Sequence, residues 1–230
     1  MQYFICTSSP SAGSSLRVVT PDGCFLFTQP TRVVPNLRTI VFFDGQNLYH
    51  GAKEAWAPKP VVQGSPYGWP SYDVERLATA LVSRIPGRDL SKIRFYTGVP
   101  DPDQDRFWHG FWSNKLRYLR SKGIYIYKGR LNPGGQEKGV DVSIAIDLVS
   151  LTYEKAYDVA ILVSSDWDLG PAVKLARQIA MDQGRVVTFE SAFPHEPGRY
   201  KRRGIPGTTW VHIDKALYDA CHDSTDYRIL

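Results

Sequence analysis

Hydrophobic and polar positions follow two alternating rhythms along most of this chain. Short apolar runs that read as strands buried on both faces are followed by stretches with helical spacing. The strand-like runs are Arg38–Phe43, Lys92–Thr97, Ile124–Lys128, Tyr157–Val163 and Arg185–Phe189. Between them the pattern predicts helices over about Gln46–Trp56, from a Ser71 cap to about Ile85, over Arg106–Ser121 closed by Gly123, over Gly139–Thr152, and over Gly170–Met181 ended by Gly184. Val74, Leu77, Ala78, Leu81 and Val82 share one face of the second helix. Pro171 falls near the first turn of the last, where a missing N–H costs nothing. Strands alternating with helices predict an α/β fold: a mostly parallel sheet of about five strands, helices on both faces, and right-handed crossovers.

The ends of the chain keep a different rhythm. Residues 1–37 read as an N-terminal extension, with a small, polar SSPSAGSS stretch and two β-rich runs, LRVVT and CFLFT, flanking the turn Pro21-Asp22-Gly23. A hairpin is expected there. Residues 38–190 form the main domain. Within it Pro58–Pro70, with four prolines and two glycines, reads as a loop, and Asn132–Gln136 as a turn. Residues 191–230 read as a basic tail, HEPGRYKRRGIPG, with a sixth strand at Thr209–Ile213 and a short helix at Asp214–Cys221.

Composition narrows the class. At 230 residues the chain is one domain with appendages, 43% hydrophobic and 22% charged, as ordinary globular proteins are. No apolar run approaches the ~20 residues of a membrane helix, and Met1–Thr20 lacks the pattern of a signal peptide. Cys6, Cys24 and Cys221 form no CxxC pair and no zinc spacing, which suits a reducing cytoplasm. A net charge of +5 permits an anionic partner without requiring one.

The acidic positions carry more. Asp166 and Asp168 follow the apolar run Val159–Val163 at the carboxyl end of a strand, where open α/β sheets place their ligands. Like charges repel by about 4 kcal/mol at ~4 Å and an effective dielectric near 20. A divalent metal between them is one reading; an N-cap aspartate with a second acid favouring the helix dipole is the other. Asp44 ends the first strand ahead of Gly45, a glycine allowing a tight turn, and Asn47. Asp141, Ile144, Ala145 and Leu148 share a helix face, which places Asp141 first on a stripe expected to pack on the sheet. Asp147 lies off that face and reads as a salt-bridging or solvent-facing acid. Four acids at one sheet edge, with no histidine or cysteine among them, favour Mg²⁺ or Mn²⁺ over zinc.

Other features have plainer readings. Phe107, Trp108, Phe111 and Trp112 share a helix with Lys115, Arg117 and Arg120. That mixture suits single-stranded RNA, but a core-facing helix with a solvated basic side is favoured. Asp101, Asp103 and Asp105 suit an acid-rich helix start. The run Arg199, Lys201, Arg202 and Arg203 is either a phosphate track or a solvated turn. Arg130, ending the third strand, is a candidate phosphate contact. The five histidines form no cluster.

VFFDGQNLY, EKGVDVSIAIDLV and DVAILVSSDWDLGP, in that order, resemble the NYN domain family, in the LabA/DUF88 branch of the PIN-like nucleases. The resemblance covers roughly Arg38 to Phe189. It implies a PIN-like three-layer sandwich and a metal-dependent ribonuclease acting on RNA, single-stranded or structured, and it leaves a homo-oligomer open. Matched motif by motif, it implies that Asp44, Asp141, Asp166 and Asp168 hold the metal and carry catalysis, with Asn47, Lys138, Ser164 and Arg130 on the substrate side. Trp167 stands where the family commonly has a small residue. Three alternatives stay open. An aspartyl-nucleophile phosphatase wants an acid where Gln46 stands. A TOPRIM-like domain wants an early glutamate where Asp44 stands. The third is an inactive RNA-binding or scaffolding module on the same fold.

Overall fold

The computed structural model describes residues 16–19, 25–28, 36–58, 67–131, 137–198 and 203–228. The chain divides into two compact units, Met1–Pro35 and Asn36–Leu230. In the first, β1 (Leu16–Val19) pairs antiparallel with β2 (Phe25–Thr28), Leu16 opposite Thr28 and Val19 opposite Phe25. The turn at Pro21–Gly23, the loop core at 59–66, the turn at 132–136 and most of the basic run at 199–202 lie outside the described residues.

In the second unit the elements run β3 (Leu37–Asp44), α1 (Gly45–Trp56), α2 (Val74–Ser83), β4 (Arg88–Val99), α3 (Arg106–Ser121), β5 (Tyr125–Leu131), β6 (Glu137–Lys138), α4 (Val140–Tyr153), β7 (Val159–Val163), a 3₁₀ turn (Trp167–Leu169), α5 (Gly170–Asp182), β8 (Thr188–Pro194), β9 (Thr209–Ile213) and α6 (Lys215–Ala220). The sheet order is β6-β5-β4-β3-β7-β8-β9. Among the described residues six strands run parallel, and β6 pairs antiparallel to β5 at one edge. The chain builds outward from β3 through β4 and β5, then returns to lay β7 on the other side of β3. The β3–β7 boundary is therefore the switch point, where open α/β sheets leave a crevice beyond their carboxyl ends.

Alternation along the strands sorts the core into two layers. Val41 and Phe43 of β3 and Val159, Ile161 and Val163 of β7 pack with α1, α2, α3 and α6. Ile40, Phe42, Ala160 and Leu162 face the opposite way, onto α4 and α5. All five residues of β7 are buried, as an apolar run in a central parallel strand should be. Asp158 ties β7 to β3: its Oδ2 accepts from the Arg38 backbone N–H and Nε, both at 3.0 Å, and its Oδ1 accepts from Arg38 Nη2 at 3.1 Å. Hydrogen bonding from Arg38 holds the Asp158 carboxyl below the ordinary carboxylate range, against the upward pull of partial burial. A depressed folded pKa contributes stability above the unfolded value of about 3.9, and that stability is lost as pH falls through the folded value. Asp158→Asn should therefore lower Tm at neutral pH, and the gap to wild type should close below about pH 4. A gap that stayed constant across the profile would show that Asp158 acts through shape rather than charge.

Several expectations shift. The cap of α2 is Asp73, not Ser71: the Asp73 side chain accepts from Arg76 N, and the helix stops at Ser83. The strand placed at Arg185–Phe189 begins only at Thr188 and runs to Pro194. Arg185 is held instead as a clasp, its guanidinium donating to the carbonyls of Tyr157 and Thr152. On α4 the buried stripe is led by Val140, with Ile144, Leu148 and Leu151; Asp141 stands one residue around the helix, exposed. Asp147, by contrast, is the salt-bridging acid expected: it pairs with Arg94 at 2.6 Å and also accepts from Tyr96 Oη. Lys115, counted on a solvated basic side, is fully buried. Among the described residues no helix is long and apolar enough to cross a membrane.

Candidate active site

The acid at the end of β3 is fixed by the helix that follows it. Asp44 is the N-cap of α1, its Oδ1 accepting from Asn47 N at 3.0 Å. Gly45 opens that helix because nothing larger fits: a Cβ there would stand 2.7 Å from the Phe95 ring and 3.1 Å from the Tyr96 carbonyl oxygen. The close approach of β3 to β4, rather than a tight turn, explains the glycine. Asp44 is only 3% exposed.

Across the switch point, residues 164–168 leave β7 and close onto Asp44. Ser164 Oγ donates to Asp44 Oδ2 at 3.1 Å and accepts from Asp166 N at 3.1 Å. Asn47 Oδ1 accepts from Ser165 N at 3.1 Å and Ser165 Oγ at 3.2 Å. Asp166 caps the 3₁₀ turn, its Oδ1 accepting from Asp168 N at 2.9 Å. From behind, Ser191 Oγ donates to the Ser164 carbonyl at 2.6 Å and accepts from Ile205 N at 3.2 Å. One hydrogen-bond chain thus runs from Asp44 through Ser164 to Asp166 and Asp168. Of the two readings of Asp166, the structure shows the cap.

Asp141 meets this group from α4. Its carboxyl is pushed above the ordinary range first by burial, then by the negative charges of Asp166 and Asp168. Three carboxylates from two segments therefore share one field. Among the described residues, no group of three or more Asp, Glu, His or Cys side chains is arranged, as it stands, to hold a metal ion. The acids are gathered electrostatically but not closed into a ligand shell. The donor set, all hard oxygen with excess negative charge, fits a hard divalent cation.

The remaining expected residues are placed differently. Ser164 is 2% exposed, with its hydroxyl taken up by Asp44 and Asp166, so it braces the acids from beneath. Asn47 is likewise spent on holding Ser165. Arg130 and Lys138 face each other across the β5–β6 ladder, both exposed, with β4 between their ladder and β3. Trp167 is 51% exposed between the two acids. Sequence reading found no histidine cluster, yet His195 and His212 stack with ring centroids 3.9 Å apart, because β8 and β9 run parallel side by side. It also passed over Ser191, for which no strand-end pattern gave a signal.

The model of the NYN domain family matches residues 38–196. Among solved structures, a Vibrio parahaemolyticus protein of unknown function is similar at 21% identity and a TM-score of 0.47, over 80% of this chain and 98% of that one. No curated protein matches.

Proposed function

This chain belongs to the NYN domain family, and from that premise we propose that it is a metal-dependent ribonuclease that hydrolyses RNA phosphodiester bonds at the β3–β7 switch point. The family lies within the PIN-like nucleases, and the parallel sheet with helices on both faces agrees with that. The observation that carries the reading is the convergence of Asp141 from α4 with Asp166 and Asp168 from the end of β7, since burial and two like charges on the Asp141 carboxyl are what a bound cation would offset.

In this reading Asp44, Asp141, Asp166 and Asp168 hold Mg²⁺ or Mn²⁺. Such an ion, when bound, supplies Lewis acidity that stabilises phosphoryl oxygens and helps water attack at neutral pH. The chain's own residues do the rest. Ser164, Asn47 and Ser191 fix the acids, and their hydrogen bonds hold the corner together against the mutual repulsion of its carboxylates. Asp168 is exposed, so packing leaves its rotamer free to adjust. Lys138 and Arg130 take phosphate oxygens along the strand, which positions RNA without reading its sequence. Trp167 offers a face for a base beside the cut.

The reading is tested without turnover by thermal denaturation. Mn²⁺ at about 100 times its Kd should stabilise the protein by about 2.7 kcal/mol through mass action, and EDTA should reverse the shift. Asp141→Asn should lose most of the gain. A Tm that ignores Mn²⁺ and Mg²⁺ would favour the inactive RNA-binding module.

A further inference from the structure

A cavity of about 240 Å³ opens at the same sheet edge, on the other side of the start of α1. Tyr49 and His50 of α1 line it, with Trp108 and Trp112 of α3, and Gln46 and Asp105 supply polar edges. The rings are held before anything binds. Tyr49 Oη donates to the Gly68 carbonyl at 2.9 Å. Trp108 packs edge-on against Phe107 and Phe111, with centroids 5.4 and 5.2 Å away. Trp112 is 5% exposed and wedged against Phe111 and Phe95. Fixed aromatic walls with a few polar groups describe a site for a flat, polar-edged ring system. The volume is below the ~300 Å³ lower bound for drug-sized ligands, which suits a single base.

Its position ties it to the acids. Gln46 lies two residues past Asp44, and the next residue, Asn47, bonds to Ser165 on the acidic side. The first turn of α1 thus divides the pocket from the acidic corner. Leu131, at the end of β5, closes the far wall, and its neighbour Arg130 stands opposite Lys138, both exposed. Gln46, Pro100 and Leu131 place the pocket at the carboxyl ends of β3, β4 and β5, between that basic pair and β7.

We propose that this pocket receives one unpaired nucleobase of an RNA strand whose phosphodiester lies at the acidic corner. The inference rests on the ribonuclease reading for its ligand class. A base still stacked in a duplex has no free face to lay against Tyr49 or Trp108, so the pocket selects single-stranded RNA.

The test is equilibrium binding in EDTA, where no cleavage occurs, of a short oligoadenylate and of a fully abasic ribose–phosphate oligomer of equal length. The abasic oligomer should bind about 10-fold more weakly. Trp108→Ala should bring oligoadenylate down to the abasic level and leave the abasic oligomer unchanged. Equal affinity for the two oligomers, or an equal loss for both in Trp108→Ala, would overturn the proposal, as would no binding at all. Because Trp108→Ala removes packing, wild-type protein is also photo-crosslinked to an oligoadenylate carrying 8-azidoadenosine. Adducts should map to Gln46–His50 or to Trp108–Trp112, and adducts confined to other segments would contradict the site. The same protein assayed with Mn²⁺ separates the two readings. Cleavage without base-dependent binding removes the pocket and keeps the nuclease, and base-dependent binding without cleavage does the reverse.

Discussion

Asp166→Asn is expected to cut metal-dependent RNA cleavage at least about 100-fold, since even outer-sphere partners of metal ligands are worth about 10–100-fold. The variant isolates charge. Asn keeps the acceptor that caps the 3₁₀ turn through Asp168 N and serves as well as Asp at a cap. The backbone N–H of residue 166 still donates to Ser164 Oγ. What is lost is one of the two negative charges that push Asp141 upward. Removing a like charge relieves repulsion in the metal-free protein, so Tm should hold or rise while cleavage falls. Loss of activity together with a lower Tm would point to misfolding instead, and full activity would remove Asp166 from the metal site.

Lys115→Ala should have the largest effect on stability. Lys115 is fully buried, and its Nζ donates to the Pro70 carbonyl at 3.1 Å, the Tyr72 carbonyl at 3.0 Å and Asp223 Oδ2 at 3.1 Å. The rings of Tyr72 and Tyr227 lie 5.0 and 5.1 Å from the ammonium. One side chain thus joins α3, the strap before α2 and the C-terminal segment. Burial pulls its pKa down while Asp223 pulls it up. Truncation leaves two carbonyls without their donor and a carboxylate without its cation, in a site where the Asp223 side chain is only 7% exposed. Breaking a buried pair in this way costs about 3–5 kcal/mol. Urea denaturation should show that loss as a lower midpoint with unchanged slope. A loss under ~1 kcal/mol would mean that water enters and solvates the group.

Lys115 also shows how far the chain could be read without a structure. The spacing of Phe111, Lys115 and Leu119 at i, i+4 and i+8 was legible, and all three are buried. A lysine there still reads as solvated, because the partner that allows its burial, Asp223, lies 108 residues away and nothing local marks it. The same division holds elsewhere. Alternating strand and helix patterns were enough for a parallel α/β sheet, because burial on both faces forces continuous apolar runs. They placed β8 too early, because Arg185, Val186 and Val187 look like strand residues while the Arg185 guanidinium is committed to carbonyls before the strand begins. The stripe led by Asp141 was one residue out, since helical spacing alone leaves Val140 and Asp141 as rival starts.

At the candidate site, local chemistry placed the acids but not their supports. A carboxylate ending an apolar run is visible in the sequence. The link from Asp44 to Ser164 spans 120 residues and depends on β3 and β7 being neighbours, which chain order does not state. The aromatic pocket was half visible. Trp108 and Trp112 stood out on one helix, but their meeting with Tyr49 and His50 follows only once α1 and α3 lie on the same face of the sheet.

The central claim is that this acidic corner cuts RNA with a divalent cation. The most direct measurement is incubation of labelled single-stranded RNA with wild-type protein in Mn²⁺, Mg²⁺ or EDTA, beside Asp44→Asn, which retains the cap on α1. Shortened fragments should accumulate with wild type in Mn²⁺ or Mg²⁺, and neither in EDTA nor with the variant. Intact RNA in every lane, or cleavage that persists in EDTA or in Asp44→Asn, would contradict it.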